Sequence, residues 1–573
     1  MFTVRPKETA SLITSDGVRL DADIYRPDAD GHFPVLLMRQ PYGRAIASTV
    51  VYAHPVWYAA QGYIVVIQDV RGRGTSEGVF DLFAHEVQDG YETVIWAANL
   101  PGSTGAVGMY GFSYQGMTQL YAASRMPAAL KTICPAMIAS DLYHDWAYEG
   151  GAFCFQLNLA WALQLAAETA RRRGDQRAYQ VLYQASQSLP LHEPAPEVLR
   201  EWAPDSFYHQ WINHPHPDEY WQRLNPNLTE IDLPTLHIGG WFDPYLRGTL
   251  RCYQTMVAQS QQPQYLLVGP WGHLPWGQRV GVINYGAEAI SFVDTLQIQW
   301  FNQFLKGMDT GILEEKPVCL FEMGRNQWRD FEQLPTAVKP AYVLTSTGLA
   351  NLRTDAGTLV PYQTSLIERV VVSPPQQGFE ALQSSEVMPE IEYPQIHLTL
   401  PSVADIWVQD PWRPVPARGG HSTLSPGAWD RADLDERTDV LTYTSSPLKT
   451  DLVLGGTPRV KLFVSADHPS FDLCVVLSEV FPSGQVFNIS QGYVRVDTLT
   501  CPLSIDLQPT CCQIVAGHQL RLSISAACFP AYLVNEGTGV PGNQSQLINA
   551  QIITLTLKSG GQYASQLLLP IIA

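Results

Sequence analysis

Ser113, Asp243 and His273 have the residue types that acyl transfer through a serine nucleophile requires. Ser113 lies in GFSYQG, between an apolar run that predicts a buried strand and MTQLYAAS, which predicts a helix. A serine at such a strand-to-helix turn can project its Oγ over the sheet as a nucleophile. The strict pattern Gly-x-Ser-x-Gly requires glycine at 115, but the chain has Gln115 and its second glycine at 116. Taken alone, Ser113 is either a nucleophile or a small residue that eases a tight turn.

A serine hydroxyl needs a base, and the base needs a carboxylate that orients it. Asp243 follows the apolar run LPTLHIGG, and His273 follows QYLLVGP. The order serine, aspartate, histidine, each at a strand end, is that of α/β-hydrolases. Taken singly, Asp243 could be a turn residue before proline and His273 a loop histidine. His237 is a rival base, but it lies inside its strand and is expected to pack there.

An oxyanion that forms during acyl transfer needs two hydrogen-bond donors. The backbone amide of Tyr114, which follows the serine, is one expected donor. The second should come from the loop after the strand FPVLLMRQ, which reads PYGR at 41–44. The hydroxyl of Tyr42 could serve there in place of a backbone amide. The alternative is that Tyr42 is a half-buried tyrosine in a Pro–Gly turn.

Three sequence patterns along the chain predict the helices and strands that must position these residues. Apolar runs alternate with helical periods to about residue 140 and again at 233–270, which predicts a mostly parallel sheet covered by helices. The segment 141–232 is predicted to be a helical insertion. Beyond residue 340, short runs in which apolar and polar residues alternate predict β-strands. One helix, EVQDGYETVIWAAN, is predicted to bury the face that carries Val87, Tyr91, Val94, Ile95 and Ala98.

The predicted fold class is an α/β-hydrolase domain with an inserted helical cap, followed by an all-β domain that is an antiparallel β-sandwich or jelly-roll domain. The predicted boundaries are 1–140 and 233–340 for the two parts of the hydrolase domain, 141–232 for the cap, and 341–573 for the jelly roll. A chain of 573 residues exceeds the size of one hydrophobic core, in agreement with several domains.

Composition excludes several classes of function. The net charge of −18 argues against binding to nucleic acid or to an anionic membrane, and no apolar run is long enough to span a bilayer. The nine cysteines are scattered and lack metal-binding spacing, and no apolar leader segment precedes the first domain, so we expect a cytoplasmic protein with reduced, mostly buried thiols. His214-Pro-His216 is the only His-x-His and is assigned to structure. No cofactor is implied.

The glycine-rich stretch QDVRGRGTSEG at 68–78 superficially resembles a phosphate-binding loop. Its glycine spacing is wrong for a dinucleotide site, and no Gly-Lys-Ser/Thr follows. We expect a structural loop that passes under the site, fixed by Asp69 and Arg71.

Five ordered motifs, PYGR, DVRGRGxSxG, GFSYQG, GGWFDPY and GPWGH, make the whole chain resemble the cocaine-esterase family of serine hydrolases. That family belongs with the X-Pro dipeptidyl-peptidases and the α-amino acid ester hydrolases. Its nucleophile motif also carries the second glycine three places after the serine. The resemblance implies a triad of Ser113, Asp243 and His273, with the Tyr42 hydroxyl and the Tyr114 amide as the oxyanion hole.

The resemblance says less about the substrate, a small-molecule ester or amide. Positions that match the family's acyl pocket are Trp146, Trp161 and Tyr245, which would favour a flat or bulky apolar acyl group unless they only pack the cap onto the sheet.

Relatives that cleave α-amino acid esters hold the substrate ammonium with carboxylates at the positions of Tyr245 and Leu246, and this chain lacks both acids. The acid that follows the oxyanion tyrosine in cocaine esterase is also missing, with Gly43 in its place. Esterase activity is therefore favoured. Glu149 or Asp145 could substitute, which leaves a dipeptidyl-peptidase or an amino ester hydrolase as the alternative.

An alternative from another class is a catalytically silent protein that binds a ligand. The jelly roll could brace the rim of the site or form a homodimer, and the sequence leaves both open.

Overall fold

The structure is a computed structural model that describes residues 1–191, 193–362, 367–369, 396–398, 401–541, 544 and 546–573. The chain begins with alternating strands and helices that build most of a ten-stranded sheet. The elements up to residue 136 are β1 (Glu8–Ile13), β2 (Arg19–Tyr25), β3 (Phe33–Gln40), α1 (Pro55–Ala60), β4 (Ile64–Asp69), α2 (Glu86–Ala98), β5 (Ser103–Phe112), α3 (Tyr114–Ala123) and β6 (Leu130–Ala136).

A mainly helical excursion separates β6 from the next strand of the sheet. Its elements are a π-helical turn (Tyr143–Ala147), β7 (Tyr148–Glu149), β8 (Ala152–Phe153), α4 (Phe155–Arg172), α5 (Gln176–Gln187), α6 (Glu197–Trp202), α7 (Phe207–Asn213) and α8 (Glu219–Leu224). The chain then returns with β9 (Thr235–Phe242), α9 (Leu246–Gln259), β10 (Gln264–Gly272), β11 (Arg279–Val280), β12 (Ile283–Asn284), α10 (Val293–Lys306), β13 (Val318–Glu322) and β14 (Gln327–Phe331), and with 3₁₀ turns at Ala287–Ala289 and Ile312–Glu314.

The sheet runs in the order β1-β2-β4-β3-β5-β6-β9-β10-β13-β14. Strands β4 to β13 of this order are parallel, and both margins are antiparallel. Helices α2 and α3 pack in a hydrophobic core on one face of the sheet, and α1 and α10 pack in a second core on the opposite face. This double cover explains the continuous apolar runs of the central strands. Because β5, β9 and β10 are parallel, Ser113, Asp243 and His273, which directly follow them, emerge at one edge.

The buried face of α2 agrees only in part with the predicted one. Val94 is buried, and Val87 and Ala98 pack against the same core, but Ile95 is 40% exposed. Glu86 and Asp89 are buried as well: Glu86 pairs with Arg39 at 2.5 Å, and Asp89 pairs with Arg71 at 2.7 Å. The prediction was wrong for Ile95, and hydrophobic periodicity does not register polar residues that are buried through ion pairs.

The C-terminal part is rich in strands, as the alternating pattern predicts. Its elements are β15 (Lys339–Ser346), β16 (Gly357–Pro361), β17 (Ile367–Arg369), β18 (Ile396–Leu398), β19 (Val403–Gln409), α11 (Ala432–Asp435), β20 (Val440–Ser445), β21 (Leu452–Gly456), β22 (Arg459–Ala466), β23 (Phe471–Val480), β24 (Val486–Val496), β25 (Leu503–Asp506), β26 (Thr510–Ile514), β27 (Gln519–Ser525), a 3₁₀ turn (Leu547–Asn549), β28 (Ile553–Ser559) and β29 (Gln566–Leu569). An 11-stranded, mostly antiparallel sheet is its main feature.

This β-rich part packs directly on the helical excursion and on the edge that carries the candidate residues. The amide of Phe155 in α4 donates to the carbonyl of Ala531 at 2.8 Å. A Cβ added at Gly272, the last residue of β10, would lie 2.6 Å from Pro426, so glycine permits this close approach. All nine cysteines are unpaired and all but Cys501 are buried, which confirms the expectation of mostly buried free thiols. In the part of the chain that the structure describes, no helix is long and apolar enough to cross a membrane.

Candidate active site

Ser113 occupies a strained turn between β5 and α3. Its φ of 60° and ψ of −127° lie in a region that residues other than glycine rarely adopt. Its backbone amide donates to the carbonyl of Ala136 at 2.9 Å, which ties the turn to β6. Ser113 is the N-cap residue of α3, yet its side chain makes no capping hydrogen bond. The hydroxyl is thus not used to stabilise the helix and is available for chemistry.

Close packing explains the position of the second glycine in the serine motif. A Cβ at Gly116 would lie 2.3 Å from Cγ2 of Ile138, so this glycine lets α3 approach β6. Gln115, at the place where the strict motif has glycine, turns its amide toward Ser48 and also donates to Gln40 Oε1 at 3.4 Å. Close approach is therefore required three residues after the serine, not two, which explains the departure from the strict motif.

Asp243 and His273 form a hydrogen-bonded pair. Their Oδ1 and Nδ1 atoms are 2.8 Å apart, and the carboxylate is fully buried. Burial raises the pKa of Asp243, and the hydrogen bond with His273 partly offsets this effect. A carboxylate acceptor requires the hydrogen on Nδ1, which leaves Nε2 of the imidazole unprotonated and able to accept a proton. The amide of Tyr245 donates to the other carboxylate oxygen at 3.2 Å, and Gln508 Nε2 donates to the Asp243 carbonyl at 2.8 Å.

Ser113 and His273 line one cavity, of about 410 Å³. Among the contacts of the described residues, no hydrogen bond joins the Ser113 hydroxyl to the imidazole. Catalytic hydrogen bonds are often long without substrate and tighten in the reacting complex. The imidazole is packed between Phe112 and Tyr245, with ring centroids 5.3 and 5.0 Å away, so its orientation is restricted.

Tyr42 and Tyr114, the predicted oxyanion donors, both lie next to Ser113. The indole Nε1 of Trp161 donates to the Tyr42 hydroxyl oxygen at 3.2 Å, and this hydroxyl also interacts with Ser113. Burial raises the pKa of Tyr42 to about 12, so the hydroxyl keeps its proton at neutral pH and can donate it. Tyr114 is the first residue of α3, and its amide therefore has no intrahelical acceptor. Its side chain lies elsewhere, with the hydroxyl donating to Glu86 at 2.7 Å.

Aromatic rings dominate the wall of this cavity. Trp146, Trp161 and Tyr245 all line it, and the Trp146 ring lies 5.3 Å from Trp161 and 4.2 Å from Tyr245. None of the described residues that line the cavity is an aspartate or a glutamate.

The β-rich part supplies a further wall of the cavity, which sequence reasoning missed: His421, Thr423, Leu424 and Pro426. No local pattern marks this loop, because its contact with the site depends on packing between distant parts of the chain.

Glu149 has buried partners of its own. It pairs with Arg247 at 2.9 Å and with His421 at 2.8 Å, and Tyr532 donates to it at 2.6 Å. Burial would raise the pKa of Glu149, but Arg247 and His421 outweigh that effect and hold its pKa at about 2.

Asp145 is engaged in the same way. It accepts backbone amides of Ser140 and Asp141 at 3.0 and 2.8 Å and pairs with Arg251 at 3.1 Å. The suggestion that Asp145 or Glu149 faces a substrate ammonium is therefore wrong in this structure.

The remaining sequence candidates have structural roles. His237 is buried in β9 and bonds to Gln264 at 3.0 Å, and burial lowers its pKa to about 4. His214 bonds to Asp218 at 2.6 Å, and the described residues contain no cluster that could hold a metal.

The glycine-rich loop is fixed as expected. Asp69 accepts the backbone amides of Arg44 and Thr75 at 2.6 and 3.1 Å, and Arg71 binds both Asp16 and Asp89. These contacts confirm that Asp69 and Arg71 fix this loop.

Comparison with known proteins agrees with this architecture. The family model of the X-Pro dipeptidyl-peptidase (S15 family) matches residues 16–275, and that of the X-Pro dipeptidyl-peptidase C-terminal non-catalytic domain matches 310–568. The cocaine esterase of Rhodococcus sp. (strain MB1 Bresler) is 31% identical over 597 aligned residues, which cover 97% of each chain.

Solved structures agree in fold. An aminopeptidase from a marine sediment archaeon of the Thaumarchaeota superposes with a TM-score of 0.76 at 22% identity, over 100% of this chain and 97% of that one. An α-amino acid ester hydrolase superposes with a TM-score of 0.74 at 21% identity, with the same coverage of 100% and 97%. The matched lengths include both the α/β part and the β-rich part. The chain therefore belongs to the cocaine-esterase-like serine hydrolases of the X-Pro dipeptidyl-peptidase (S15) family.

Proposed function

We propose that this protein is a serine esterase in which Ser113 is the nucleophile, His273 the general base and Asp243 the orienting acid. One observation carries the proposal: a strained serine whose side chain does not cap its helix and an imidazole bound to a buried carboxylate line one cavity. Neither a turn serine nor a packing histidine accounts for that combination. The Tyr42 hydroxyl and the Tyr114 amide are the proposed oxyanion donors.

The proposed reaction is acyl transfer in two steps. Nε2 of His273 takes the Ser113 proton while Oγ attacks the ester carbonyl, and Asp243 stabilises the imidazolium that forms. Tyr42 and the amide of Tyr114 donate to the tetrahedral oxyanion. The imidazolium then protonates the leaving alcohol, and the acyl group stays on Oγ. Water, deprotonated by the same imidazole, attacks the acyl-enzyme and releases the carboxylic acid.

The proposed substrate is a small carboxylic ester with an uncharged, apolar acyl group. Trp146, Trp161 and Tyr245 offer aromatic faces to such a group. A substrate with a free ammonium would need a carboxylate, and the described lining residues include none, while Glu149 is already paired with Arg247. These contacts favour an esterase over a dipeptidyl-peptidase or an amino ester hydrolase.

We also propose that the α/β-hydrolase domain comprises 1–140 and 233–340, with 141–232 as its helical cap and 341–573 as a jelly roll. The strand order around β5, β9 and β10 and the antiparallel 11-stranded sheet support this division. The cap and the jelly roll would each supply one wall of the cavity, from α4 and from the loop at 421–426. A cytoplasmic location and a homodimer stay predictions.

Labelling with a fluorophosphonate probe tests the proposed nucleophile. We expect covalent modification of wild-type protein at Ser113 and none in Ser113→Ala, whose kcat on p-nitrophenyl butyrate should fall by about 10⁶. A folded Ser113→Ala protein with wild-type kcat would refute the proposal, and absence of labelling would favour a ligand-binding protein. Comparison of p-nitrophenyl butyrate with an X-Pro-p-nitroanilide separates esterase from dipeptidyl-peptidase activity.

The role of Tyr42 has its own test. Tyr42→Phe keeps the ring and removes the donor, so kcat should fall by about 10²–10³ while KM changes little. An unchanged kcat in Tyr42→Phe would remove Tyr42 from the oxyanion hole and leave the Ser113 assignment intact.

A further inference from the structure

Arg73, in the glycine-rich loop, is a buried cation without an acidic partner. It is only 1% exposed, and no carboxylate of the described residues lies within ion-pair distance of its guanidinium. Nε donates to the carbonyl of Pro41 at 2.8 Å. Nη1 donates to Thr169 Oγ1 at 2.9 Å and to the carbonyl of Leu165 at 3.2 Å, and the guanidinium lies 4.7 Å from the centre of the Phe80 ring.

A buried charge without a directly bound counter-ion is costly for a fold, so its presence needs an explanation. Burial lowers the pKa of Arg73 to about 10, which still leaves the guanidinium charged at neutral pH. Glu168, which lines a cavity together with Arg73 and Tyr42, partly offsets this effect through space, but its carboxylate accepts hydrogen bonds from Arg171, at 2.7 and 2.8 Å. The loop could have been anchored by a neutral side chain, because all three acceptors of Arg73 are neutral oxygens.

The residues that accept hydrogen bonds from Arg73 either adjoin Tyr42, the proposed oxyanion donor, in the chain or belong to a helix that contacts it. Pro41, whose carbonyl Arg73 holds, directly precedes Tyr42. Leu165 and Thr169 belong to α4, the helix that also carries Trp161, the donor to the Tyr42 hydroxyl. Tyr42 is thus held at its backbone through Arg73 and at its hydroxyl through Trp161.

The charge of Arg73 also acts on that hydroxyl. Its positive field lowers the pKa of Tyr42, against the larger effect of burial. A field that stabilises negative charge on the tyrosine oxygen also stabilises negative charge on an oxyanion hydrogen-bonded to it.

We propose that Arg73 is a positioning residue of the oxyanion hole, which fixes the Pro41–Tyr42 backbone and supplies positive charge close to Tyr42. The proposal rests on the proposed function, because it assigns Arg73 a part in the stabilisation of the oxyanion at Ser113. It accounts for the lack of a directly bound acid: a carboxylate in contact with Arg73 would cancel more of its field where negative charge develops.

The test compares two arginines of the same region in the full-length enzyme, with p-nitrophenyl butyrate as substrate. Arg73→Gln should lower kcat about tenfold with KM within about twofold, because the charge acts on the transition state rather than on substrate binding. Arg73→Lys, which keeps the charge, should retain more of the activity. The matched control is Arg172→Gln: Arg172 also joins α4 to the loop, donating to the carbonyls of Gly74 and Ser76, both at 2.8 Å, and should leave kcat within about twofold.

A double-mutant cycle shows whether Arg73 works through Tyr42. In a Tyr42→Phe background, Arg73→Gln should lower kcat by less than about threefold, since the donor that it supports is gone. A full tenfold loss there would overturn the proposal. So would a lower Tm of Arg73→Gln with unchanged kcat, which indicates a structural role alone.

A second substrate pair tests the strongest rival explanation, that Arg73 binds an anionic group of the substrate. The p-nitrophenyl monoester of adipic acid carries a carboxylate at the end of its acyl chain, and p-nitrophenyl hexanoate does not. Equal losses with both esters support the positioning role, and a loss confined to the adipate ester overturns it. The Ser113→Ala variant is measured alongside: if it stays active, the proposed function fails, whatever Arg73 does.

Discussion

Replacing Trp161 by phenylalanine separates the two roles that the structure gives this residue. Trp161 presents an aromatic face to the cavity, and its Nε1 donates to the Tyr42 hydroxyl oxygen at 3.2 Å. Phenylalanine keeps much of the ring and removes the donor. A neutral hydrogen bond contributes about 0.5–1.5 kcal/mol, and 3.2 Å is at the long end of the normal range, so the expected loss is about 0.5–1 kcal/mol. In kcat this corresponds to a fall of about two- to fivefold.

Trp146 provides a matched control for that measurement. Its ring lies 5.3 Å from that of Trp161 and lines the same cavity, but its indole Nε1 has no hydrogen-bond partner in the described part of the structure. Trp146→Phe therefore removes comparable aromatic surface without removing a hydrogen bond. Both variants should raise KM for p-nitrophenyl butyrate, and only Trp161→Phe should lower kcat. Equal kcat values for the two variants would refute the idea that Trp161 orients the Tyr42 hydroxyl.

Three further predictions concern residues behind the cavity. The pKa of Glu149 in the fold, about 2, is below its ordinary value of 4.5, so Glu149 stabilises the fold above pH 4.5, by about 3 kcal/mol, and this stabilisation is lost as the pH falls toward 2. Glu149→Gln should therefore lower Tm strongly at pH 7 and much less at pH 3, and a pH-independent difference would contradict this assignment. Gln508→Leu removes a donor to the Asp243 carbonyl and should lower kcat about fivefold with unchanged KM; a change in KM alone would contradict a positioning role. Gly116→Ala places a Cβ 2.3 Å from Ile138, so we expect a loss of about 1–3 kcal/mol in stability together with lower kcat, and a fully active, equally stable variant would show that α3 can move freely.

The strand-end residues could be predicted from the sequence because their signals are local. The apolar runs of β5, β9 and β10 identify buried parallel strands, and parallel strands bring their following residues to one edge. Ser113, Asp243 and His273 follow those three runs directly, so their order and their placement came from one argument. His273 Nδ1 lies 2.8 Å from Asp243 Oδ1, which is the hydrogen-bond distance that the predicted pairing of these two residues requires.

Other features could not be predicted, because the partner that decides them is remote in the chain. In α2, Glu86 and Asp89 are buried because they pair with Arg39 and Arg71. A hydrophobic pattern alone does not identify such pairs, and it placed the exposed Ile95 on the buried face. The wall formed by His421 and Pro426 depends on how the β-rich part packs. Periodicity reports which residues avoid water on average, and it does not report which charges are neutralised by a distant partner.

Glu149 shows why substrate charge is the hardest property of this site to predict from sequence. An acid such as Glu149 can bind a substrate ammonium only if no internal cation neutralises it. Here Arg247 does so at 2.9 Å, and His421 and Tyr532, which lie 272 and 383 residues away in the chain, hold the same oxygen. The proposed preference for an uncharged ester over an amine therefore depends on contacts of Glu149 with α9 and the β-rich part. These contacts lie outside the motifs around Ser113, Asp243 and His273, so no local sequence pattern reports them.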